Sequence, residues 1–131
     1  MKILIIDDDR LLVQILTETL TNEGFVVCAA HDGLTGIECM ISEAPDLILL
    51  DIMMPGIDGY EVCKKLKESP ATSNLPIVFI SAKAAQEDID KAFALGADDY
   101  IVKPFDTATV AERLKTVYQK VMHRYKKDGG M

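Results

Sequence analysis

The sequence predicts an α/β protein with a doubly wound parallel sheet, and three observations support this prediction. Five short apolar segments recur along the 131 residues, and a stretch with helical periodicity follows each of them. The apolar segments are rich in Ile, Leu and Val and do not alternate with polar residues, as expected for strands covered on both faces. Parallel strands need right-handed crossover connections, so the repeated unit builds a sheet with helices on both faces.

Each predicted strand is a run of five or six residues, and turn or helix signals flank it. The second strand follows Gly24, and the fifth precedes the sequence PF. The predicted strands are Lys2–Ile6, Phe25–Ala30, Asp46–Leu50, Pro76–Ile80 and Asp99–Lys103.

The segments after the strands have apolar residues three and four positions apart, which predicts amphipathic helices. The first helix ends before Gly24, the third begins near Gly59, and the fifth begins near Asp106. The fourth covers Gln86–Leu95 and closes at Gly96, where glycine suits a left-handed cap. The apolar stripes consist of Leu12, Ile15, Leu16 and Leu20, then Gly36, Ile37, Met40 and Ile41, then Val62 and Leu66, and finally Val110, Leu114, Val117 and Val121.

The composition indicates one compact cytoplasmic domain. Hydrophobic residues make up 49% of the chain, yet no apolar run approaches the length of a membrane span, and MKILII breaks into DDD without a signal-peptide cleavage pattern. The three cysteines lack metal-ligand spacing, which is typical of reduced, packed cysteines. The net charge is −7, so we expect no direct binding to nucleic acid, which requires a basic face.

Polar residues stand at the ends of four predicted strands. Asp7–Asp9 follow the first strand, Asp51 follows the third, Ser81 follows the fourth, and Lys103 ends the fifth. Ligands of doubly wound sheets bind beyond the carboxyl ends of the strands, so these side chains should meet at one edge. Taken singly, each has an ordinary explanation, such as a turn, a solvated charge or, for Asp9, a helix N-cap. Four matching strand ends are harder to explain in that way.

The charges at this edge predict a divalent cation and phosphoryl chemistry. Two carboxylates about 4 Å apart repel by about 4 kcal/mol at an effective dielectric of about 20. A hard cation relieves that repulsion, and a sparse oxygen site with room for waters and a phosphoryl oxygen suits Mg²⁺ better than Ca²⁺. One carboxylate is then free to attack phosphorus, while Lys103 neutralises charge on the equatorial oxygens and Ser81 donates a hydrogen bond.

Four motifs resemble, in order and spacing, those of bacterial two-component response-regulator receiver domains, the family of chemotaxis-regulator-like receivers. They are LIIDDD, LLDIMMPGIDGYEV, FISAK and GADDYIVKPF, and the resemblance covers about Lys2–Tyr118. It implies a flavodoxin-like (βα)5 fold with strand order 2-1-3-4-5. It also implies a receiver domain over residues 1–122, with residues 123–131 as a C-terminal tail or the start of a linker to an output domain.

The resemblance implies a role for each acidic residue at the site. Asp51 matches the phosphoacceptor, which is also a ligand of Mg²⁺. Asp8 matches a direct metal ligand, and Asp7 matches its acidic neighbour, which acts through a water. The backbone carbonyl of Met53 matches a further protein ligand of the metal.

Other positions match residues that respond to the phosphoryl group or control access to it. Ser81 matches the switch hydroxyl, and Lys103 matches the lysine that contacts the phosphoryl group before a cis bond to proline. Tyr100 matches the aromatic residue that moves between outward and inward positions as Ser81 engages the phosphate. Met53 and Lys83 match the two positions that influence access of hydrolytic water, and their size predicts slow self-dephosphorylation.

The resemblance implies a signalling domain rather than an enzyme, with self-catalysed phosphotransfer and autodephosphorylation alone. A sensor histidine kinase or phosphotransfer protein would donate the phosphoryl group from a phosphohistidine. Phosphorylation would then shift a conformational population and change the face of helix four, strand five and helix five toward a downstream effector or an attached output domain. Homodimerisation on phosphorylation stays open, as does the choice between a complete regulator and a receiver from a longer protein.

Two other classes of protein share parts of this pattern. A phosphatase of the haloacid-dehalogenase type has a second Asp two residues after its nucleophile, but Met53 stands two residues after Asp51. Asp7 and Asp9 have that spacing, yet the sequence RL follows where that family usually has a small hydroxyl residue or valine. A flavin-binding module needs a phosphate loop rich in glycine and hydroxyl groups after strand one, whereas DDDRLL is acidic.

Overall fold

The computed structural model describes residues 1–127, with the side chains of residues 1–124, as strands and helices in strict alternation. The strands are β1 (Lys2–Ile6), β2 (Val26–Ala30), β3 (Leu47–Asp51), β4 (Ile77–Ser81) and β5 (Asp99–Val102). The helices are α1 (Arg10–Asn22), α2 (Gly33–Glu43), α3 (Gly59–Glu68), α4 (Gln86–Ala94) and α5 (Thr107–Lys127). All strand pairs are parallel, and the order β2-β1-β3-β4-β5 confirms the predicted doubly wound fold.

The sheet separates two hydrophobic cores, because successive side chains of a strand point to opposite faces. Helices α2, α3 and α4 cover one face, and helices α1 and α5 cover the other. The first core contains Leu4, Ile6, Ile48, Leu50, Phe79, Met40, Val62, Leu66 and Ala92 among its buried residues. The second contains Ile3, Ile5, Leu47, Leu49, Val78, Ile80, Leu16, Leu20, Val110 and Leu114. Every residue of β3 and β4 is buried, as the uninterrupted apolar runs predict.

The predicted apolar stripes are wider than the surfaces that the helices bury. Ile15 on α1 is 43% exposed, and Ile41 on α2 is 82% exposed, although both belong to the predicted stripes. Helix α2 instead packs through Gly36 and Met40, one turn apart, against the sheet. A Cβ at Gly36 would lie 2.6 Å from the Cδ1 atom of Ile6, so this glycine permits α2 to approach β1 closely.

Aspartates define the start of three helices. The side chains of Asp9, Asp32 and Asp58 accept hydrogen bonds from backbone N–H groups in the first turns of α1, α2 and α3. The N-cap predicted at Asp9 is therefore confirmed. Gly96, which follows α4, has a φ angle of +104°, as predicted for a left-handed cap.

The C-terminal segment predicted as a tail or linker, residues 123–131, begins within α5, which continues to Lys127. Residues 128–131 lie outside the described part of the chain, so this domain boundary stays a prediction. Within residues 1–127, no helix is long and apolar enough to cross a bilayer.

The cap at Asp58 gives a test of the local stability of α3. Replacing Asp58 by Ala removes the acceptor for the N–H group of Glu61, which lies 2.9 Å away. We expect this change to lower the free energy of unfolding by about 1 kcal/mol. Asp58→Asn, which keeps an acceptor oxygen, should retain most of the stability. Urea unfolding of the three proteins would measure the difference, and equal midpoints for the Ala and Asn variants would contradict it.

Candidate functional site

Four strands bring a polar residue to the same edge of the sheet, here called the carboxyl edge. Asp7 directly follows β1, Asp51 and Ser81 are the last residues of β3 and β4, and Lys103 directly follows β5. The apolar residues before Asp7, Asp51 and Ser81 are buried in the sheet, and Val102 before Lys103 is partly buried, so each polar side chain emerges where its apolar run stops. The structure thus brings together the residues that the strand-end pattern predicts.

Three carboxylates form an acidic cluster at this edge. Single oxygen atoms of Asp7, Asp8 and Asp51 all lie within 4.8 Å of one another. Asp7 and Asp51 are buried, whereas Asp8 is exposed to solvent. The ammonium of Lys103 donates a hydrogen bond to Asp7 Oδ2 at 3.1 Å and lies 3.7 Å from Asp51 Oδ1. One lysine therefore faces two buried carboxylates.

The environment of Asp51 disfavours its negative charge. Burial and, after it, the nearby charge of Asp7 raise the pKa of Asp51, which is about 7 in the folded protein. The ammonium of Lys103 and the backbone N–H of Met53 act in the opposite direction. At neutral pH the carboxylate is thus ionised only in part, which leaves it sensitive to any added positive charge.

The donor set at the acidic cluster fits a hard divalent cation. Carboxylate oxygens are preferred by Mg²⁺, and Asp8 leaves the cluster open to solvent, so bound waters have room. A cation among these oxygens would also offset the repulsion that raises the pKa of Asp51. Both the ligand chemistry and the electrostatics of the cluster agree with the predicted metal site.

Ser81 and Tyr100 meet at the backbone of Lys83. The Ser81 Oγ atom is buried and accepts a hydrogen bond from the N–H group of Lys83 at 3.2 Å. The Tyr100 hydroxyl, on a side chain only 6% exposed, donates to the carbonyl of Lys83 at 2.7 Å. Tyr100 therefore occupies the inward position, and the bond between Lys103 and Pro104 is cis, as the resemblance implies.

The two predicted access residues lie in different environments. Met53 is 56% exposed and stands two residues after Asp51. The ammonium of Lys83 lies 3.9 Å from Asp88 Oδ1 on α4, so its charge is directed toward that helix. Their influence on the acceptor stays a prediction.

Three residues contribute to the geometry of the site without a clear signal in the sequence. His31, which the sequence leaves without a partner, places its Nδ1 atom 3.1 Å from the backbone carbonyl of Asp7. Gly59 donates its N–H group to the carbonyl of Ile52 at 2.8 Å, which brings the start of α3 against the end of β3. Tyr60 is buried and bonds to α4. The pair of Asp58 and Gly59 at the start of α3 is the one hint in the sequence, since a side chain at Gly59 would clash with the backbone of Ile52.

Comparison with known proteins assigns the family. Residues 3–115 match the family model described as the response regulator receiver domain. The chain belongs to the response regulator receiver domain family. Receiver domains are signalling domains of two-component systems rather than enzymes in the usual sense, and this assignment decides against the phosphatase and flavin-binding alternatives.

Curated relatives of this receiver domain are longer than the chain. The transcriptional regulatory protein CseB of Streptomyces coelicolor is 36% identical over 121 residues, which cover 92% of this chain and 50% of CseB. The response regulator PleD of Caulobacter vibrioides is 39% identical over 116 residues, which cover 88% of this chain and 26% of PleD. The matched region thus spans half of one relative and about a quarter of the other.

Solved structures share the fold of this receiver domain over nearly their whole length. A CheY-like response regulator receiver domain protein from Methanospirillum hungatei superimposes with a TM-score of 0.87 at 26% identity, over 94% of this chain and 97% of that chain. The chemotaxis protein CheY4 of Vibrio cholerae gives a TM-score of 0.84 at 28% identity, over 88% of this chain and 97% of that chain. The backbone arrangement is therefore that of a CheY-like receiver.

The raised pKa of Asp51 predicts that Asp51→Asn stabilises the receiver domain in a pH-dependent way when a chelator removes divalent cations. The ordinary pKa of 3.8 applies to the unfolded chain and about 7 to the folded one, so the folded wild type binds more protons between these values. The stability of the wild type consequently falls as pH rises through this window. An uncharged Asn does not lose stability in this way. Above pH 7, the free energy of unfolding of Asp51→Asn should therefore exceed that of the wild type by more than about 1 kcal/mol.

Thermal unfolding of both proteins in EDTA, from pH 4 to pH 8, would measure this gain. The gain should shrink as pH falls toward 4, where Asp51 of the folded wild type is protonated and carries no buried charge. Asp90→Asn, at an exposed position on α4, serves as the control and should show no such trend. A constant difference between wild type and Asp51→Asn at every pH would contradict the raised pKa.

Proposed function

We propose that this receiver domain accepts a phosphoryl group on Asp51 in a Mg²⁺-dependent reaction, with a phosphohistidine of a sensor histidine kinase or phosphotransfer protein as the donor. The observation behind this proposal is the arrangement at the carboxyl edge. A buried carboxylate, two further carboxylates within 4.8 Å and a lysine at 3.7 Å form a site for attack on phosphorus.

Each residue of the site has a separate task in the proposed transfer. A carboxylate oxygen of Asp51 attacks phosphorus, the bond from phosphorus to the imidazole nitrogen of the donor breaks, and the donor becomes a neutral histidine after protonation by solvent. Asp8, Asp51 and the backbone carbonyl of Met53 would hold Mg²⁺, with Asp7 acting through a water. Bound Mg²⁺ would supply positive charge beside the phosphoryl oxygens.

Lys103 would interact with different negative charges before and after the proposed transfer. Before transfer, its ammonium offsets the charges of Asp7 and Asp51, from which it lies 3.1 and 3.7 Å. After transfer, the phosphoryl oxygens would offer it a stronger charge-assisted hydrogen bond. Lys103 thus stays beside Asp51 throughout and needs only a small movement of its head group.

The proposed switch begins at Ser81. The phosphoryl group would draw the Ser81 hydroxyl toward it and shift the backbone of Lys83, to which both Ser81 and Tyr100 are bonded. The inward Tyr100 would then stabilise the shifted conformation, a population change that alters the face of α4, β5 and α5. Arg113 supports this face, because its guanidinium bonds to Asp99 Oδ1 at 2.6 Å and to the carbonyl of Tyr100 at 3.0 Å.

The proposed recipient of the signal is a downstream effector or an output domain attached to the receiver. CseB is named a transcriptional regulatory protein and is about twice the matched length, which favours an attached output domain. The division into a receiver over residues 1–122 and a tail or linker over 123–131 belongs to this proposal, as does a cytoplasmic location. Direct contact with nucleic acid is not part of it, since the chain has a net charge of −7.

Incubation with acetyl phosphate and Mg²⁺ should add one phosphoryl group to the wild-type protein, measured by intact mass. Asp51→Asn removes the nucleophile and should abolish the gain. EDTA should also prevent it, because the charges around the phosphoryl group are then not offset. Asp90→Asn controls for the loss of an exposed aspartate and should gain one group like the wild type.

A gain that persists in Asp51→Asn would place the acceptor elsewhere and contradict the proposal. A folded wild-type protein that gains no mass would also contradict it. In that case the domain would act as a binding module without phosphoacceptor chemistry.

The phosphorylated form should be long-lived, because Met53 and Lys83 match the two positions that influence access of hydrolytic water in receiver domains, and both side chains are bulky enough to obstruct it. Met53→Ala should shorten its half-life several-fold, measured by the decay of the phosphorylated mass after removal of acetyl phosphate. Met122→Ala changes a methionine at the opposite edge of the sheet and should leave the half-life unaltered. Decay of the wild type as fast as in the fastest chemotaxis-type receivers would refute the obstruction.

A further inference from the structure

Helix α4 has fewer anchors of its own than the three helices before it. An aspartate side chain caps each of α1, α2 and α3, whereas Ala85 at the N-cap of α4 provides no side-chain hydrogen bond. Of the nine residues of α4, only Ala92 is buried. The position of α4 must therefore depend on contacts made by neighbouring elements.

Two tyrosine hydroxyls supply such contacts, one at each end of the segment Lys83–Asp88. Tyr100 on β5 donates to the carbonyl of Lys83 at 2.7 Å, and Tyr60 on α3 donates to the carbonyl of Asp88 at 3.1 Å. Both rings pack beside Phe79, with centroid separations of 6.2 and 5.8 Å. The segment that leads into α4 is thus fixed to the core at two points.

The position of Tyr60 is itself well defined. Its side chain is 7% exposed, and the ammonium of Lys91 on α4 lies 4.3 Å from the centroid of its ring, within the range of a cation–π interaction. Burial raises the pKa of Tyr60 to about 12, so its hydroxyl keeps its proton and remains a donor at neutral pH. Tyr60 therefore contacts α4 through both its hydroxyl and its ring.

The backbone next to Tyr60 is in direct contact with the acceptor strand. Gly59 donates its N–H group to the carbonyl of Ile52 at 2.8 Å, and a Cβ at Gly59 would lie only 2.7 Å from the Cα atom of Ile52. Such a Cβ would also overlap the backbone carbonyl of Asp51. A shift of the backbone at Asp51 must consequently move the start of α3, where Tyr60 is located.

We propose that Tyr60 is a positioning residue that couples the acceptor end of β3 to the first turn of α4 through its hydroxyl. This path runs through α3, separately from the path through Ser81 and Tyr100. Its response to phosphorylation rests on the proposed function of Asp51, whereas its hold on α4 in the unphosphorylated protein does not.

Hydrogen–deuterium exchange of the α4 backbone in Tyr60→Phe tests the proposal. The substitution keeps the ring and removes only the hydroxyl, so the fold should be retained. In the unphosphorylated protein, we expect amides of α4 to exchange about fivefold faster than in the wild type, as for the loss of about 1 kcal/mol. Tyr118→Phe is the matched control, because the Tyr118 hydroxyl makes no hydrogen bond within residues 1–124, and it should leave α4 unchanged.

A second experiment measures hydrogen–deuterium exchange of the same three proteins after treatment with acetyl phosphate and Mg²⁺. The intact mass of each sample gives its phosphorylated fraction. Phosphorylation should alter exchange in α4 of the wild type and of Tyr118→Phe. Tyr60→Phe should reach the same phosphorylated fraction but lose most of that alteration. An equal phosphorylated fraction with a reduced α4 response would show that Tyr60 affects the coupling and not the acceptor chemistry. A merely structural role of Tyr60 would leave the α4 response to phosphorylation intact.

Equal α4 exchange in Tyr60→Phe and Tyr118→Phe would overturn the proposal. A full phosphorylation response in Tyr60→Phe would overturn the coupling and leave only a static contact. If the folded wild type gains no phosphoryl group, the proposed function of Asp51 and the coupling both fail. The unphosphorylated arm still decides in that case whether Tyr60 holds α4.

Discussion

The repulsion between buried carboxylates is the constraint on which the rest of the site depends. Strands β1 and β3 are neighbours in the sheet, so Asp7 and Asp51, which stand at their carboxyl ends, lie about one strand spacing apart. Burial denies both groups the water that would screen them. This arrangement has two results. The ammonium of Lys103 is attracted to the negative charge, and the pKa of Asp51 is raised.

The sequence was sufficient to predict the sheet and the residues at its carboxyl edge, because both depend on local patterns. Each strand is a short apolar run, and the polar residue that ends it must emerge where the run stops. Parallel pairing then aligns these ends, as the pairing of Asp51 with Ile80 and of Ser81 with Val102 shows. The strand ends, rather than any single motif, made Asp51, Ser81 and Lys103 predictable as neighbours.

Contacts that depend on how helices are oriented could not be predicted in this way. Tyr60 is not part of the apolar stripe that the sequence predicts for α3, yet its hydroxyl donates a hydrogen bond to a carbonyl 28 positions later in the chain. Ile41 belongs to the predicted stripe of α2 but is 82% exposed, whereas Gly36 and Met40 of the same stripe are buried. Helical periodicity identifies an apolar face, but the tilt and depth of the helix decide which members of that face are covered.

The ion pair between Lys103 and Asp7 joins residues that are 96 positions apart. Proteins are synthesised from the N-terminus, so a growing chain contains Asp7, Asp8 and Asp51 long before it contains Lys103. During that interval the carboxylates have no lysine partner at the edge of the sheet, and closing so long a loop is costly in entropy. Completion of this charged edge must therefore wait for the synthesis of β5 and of the lysine that follows it.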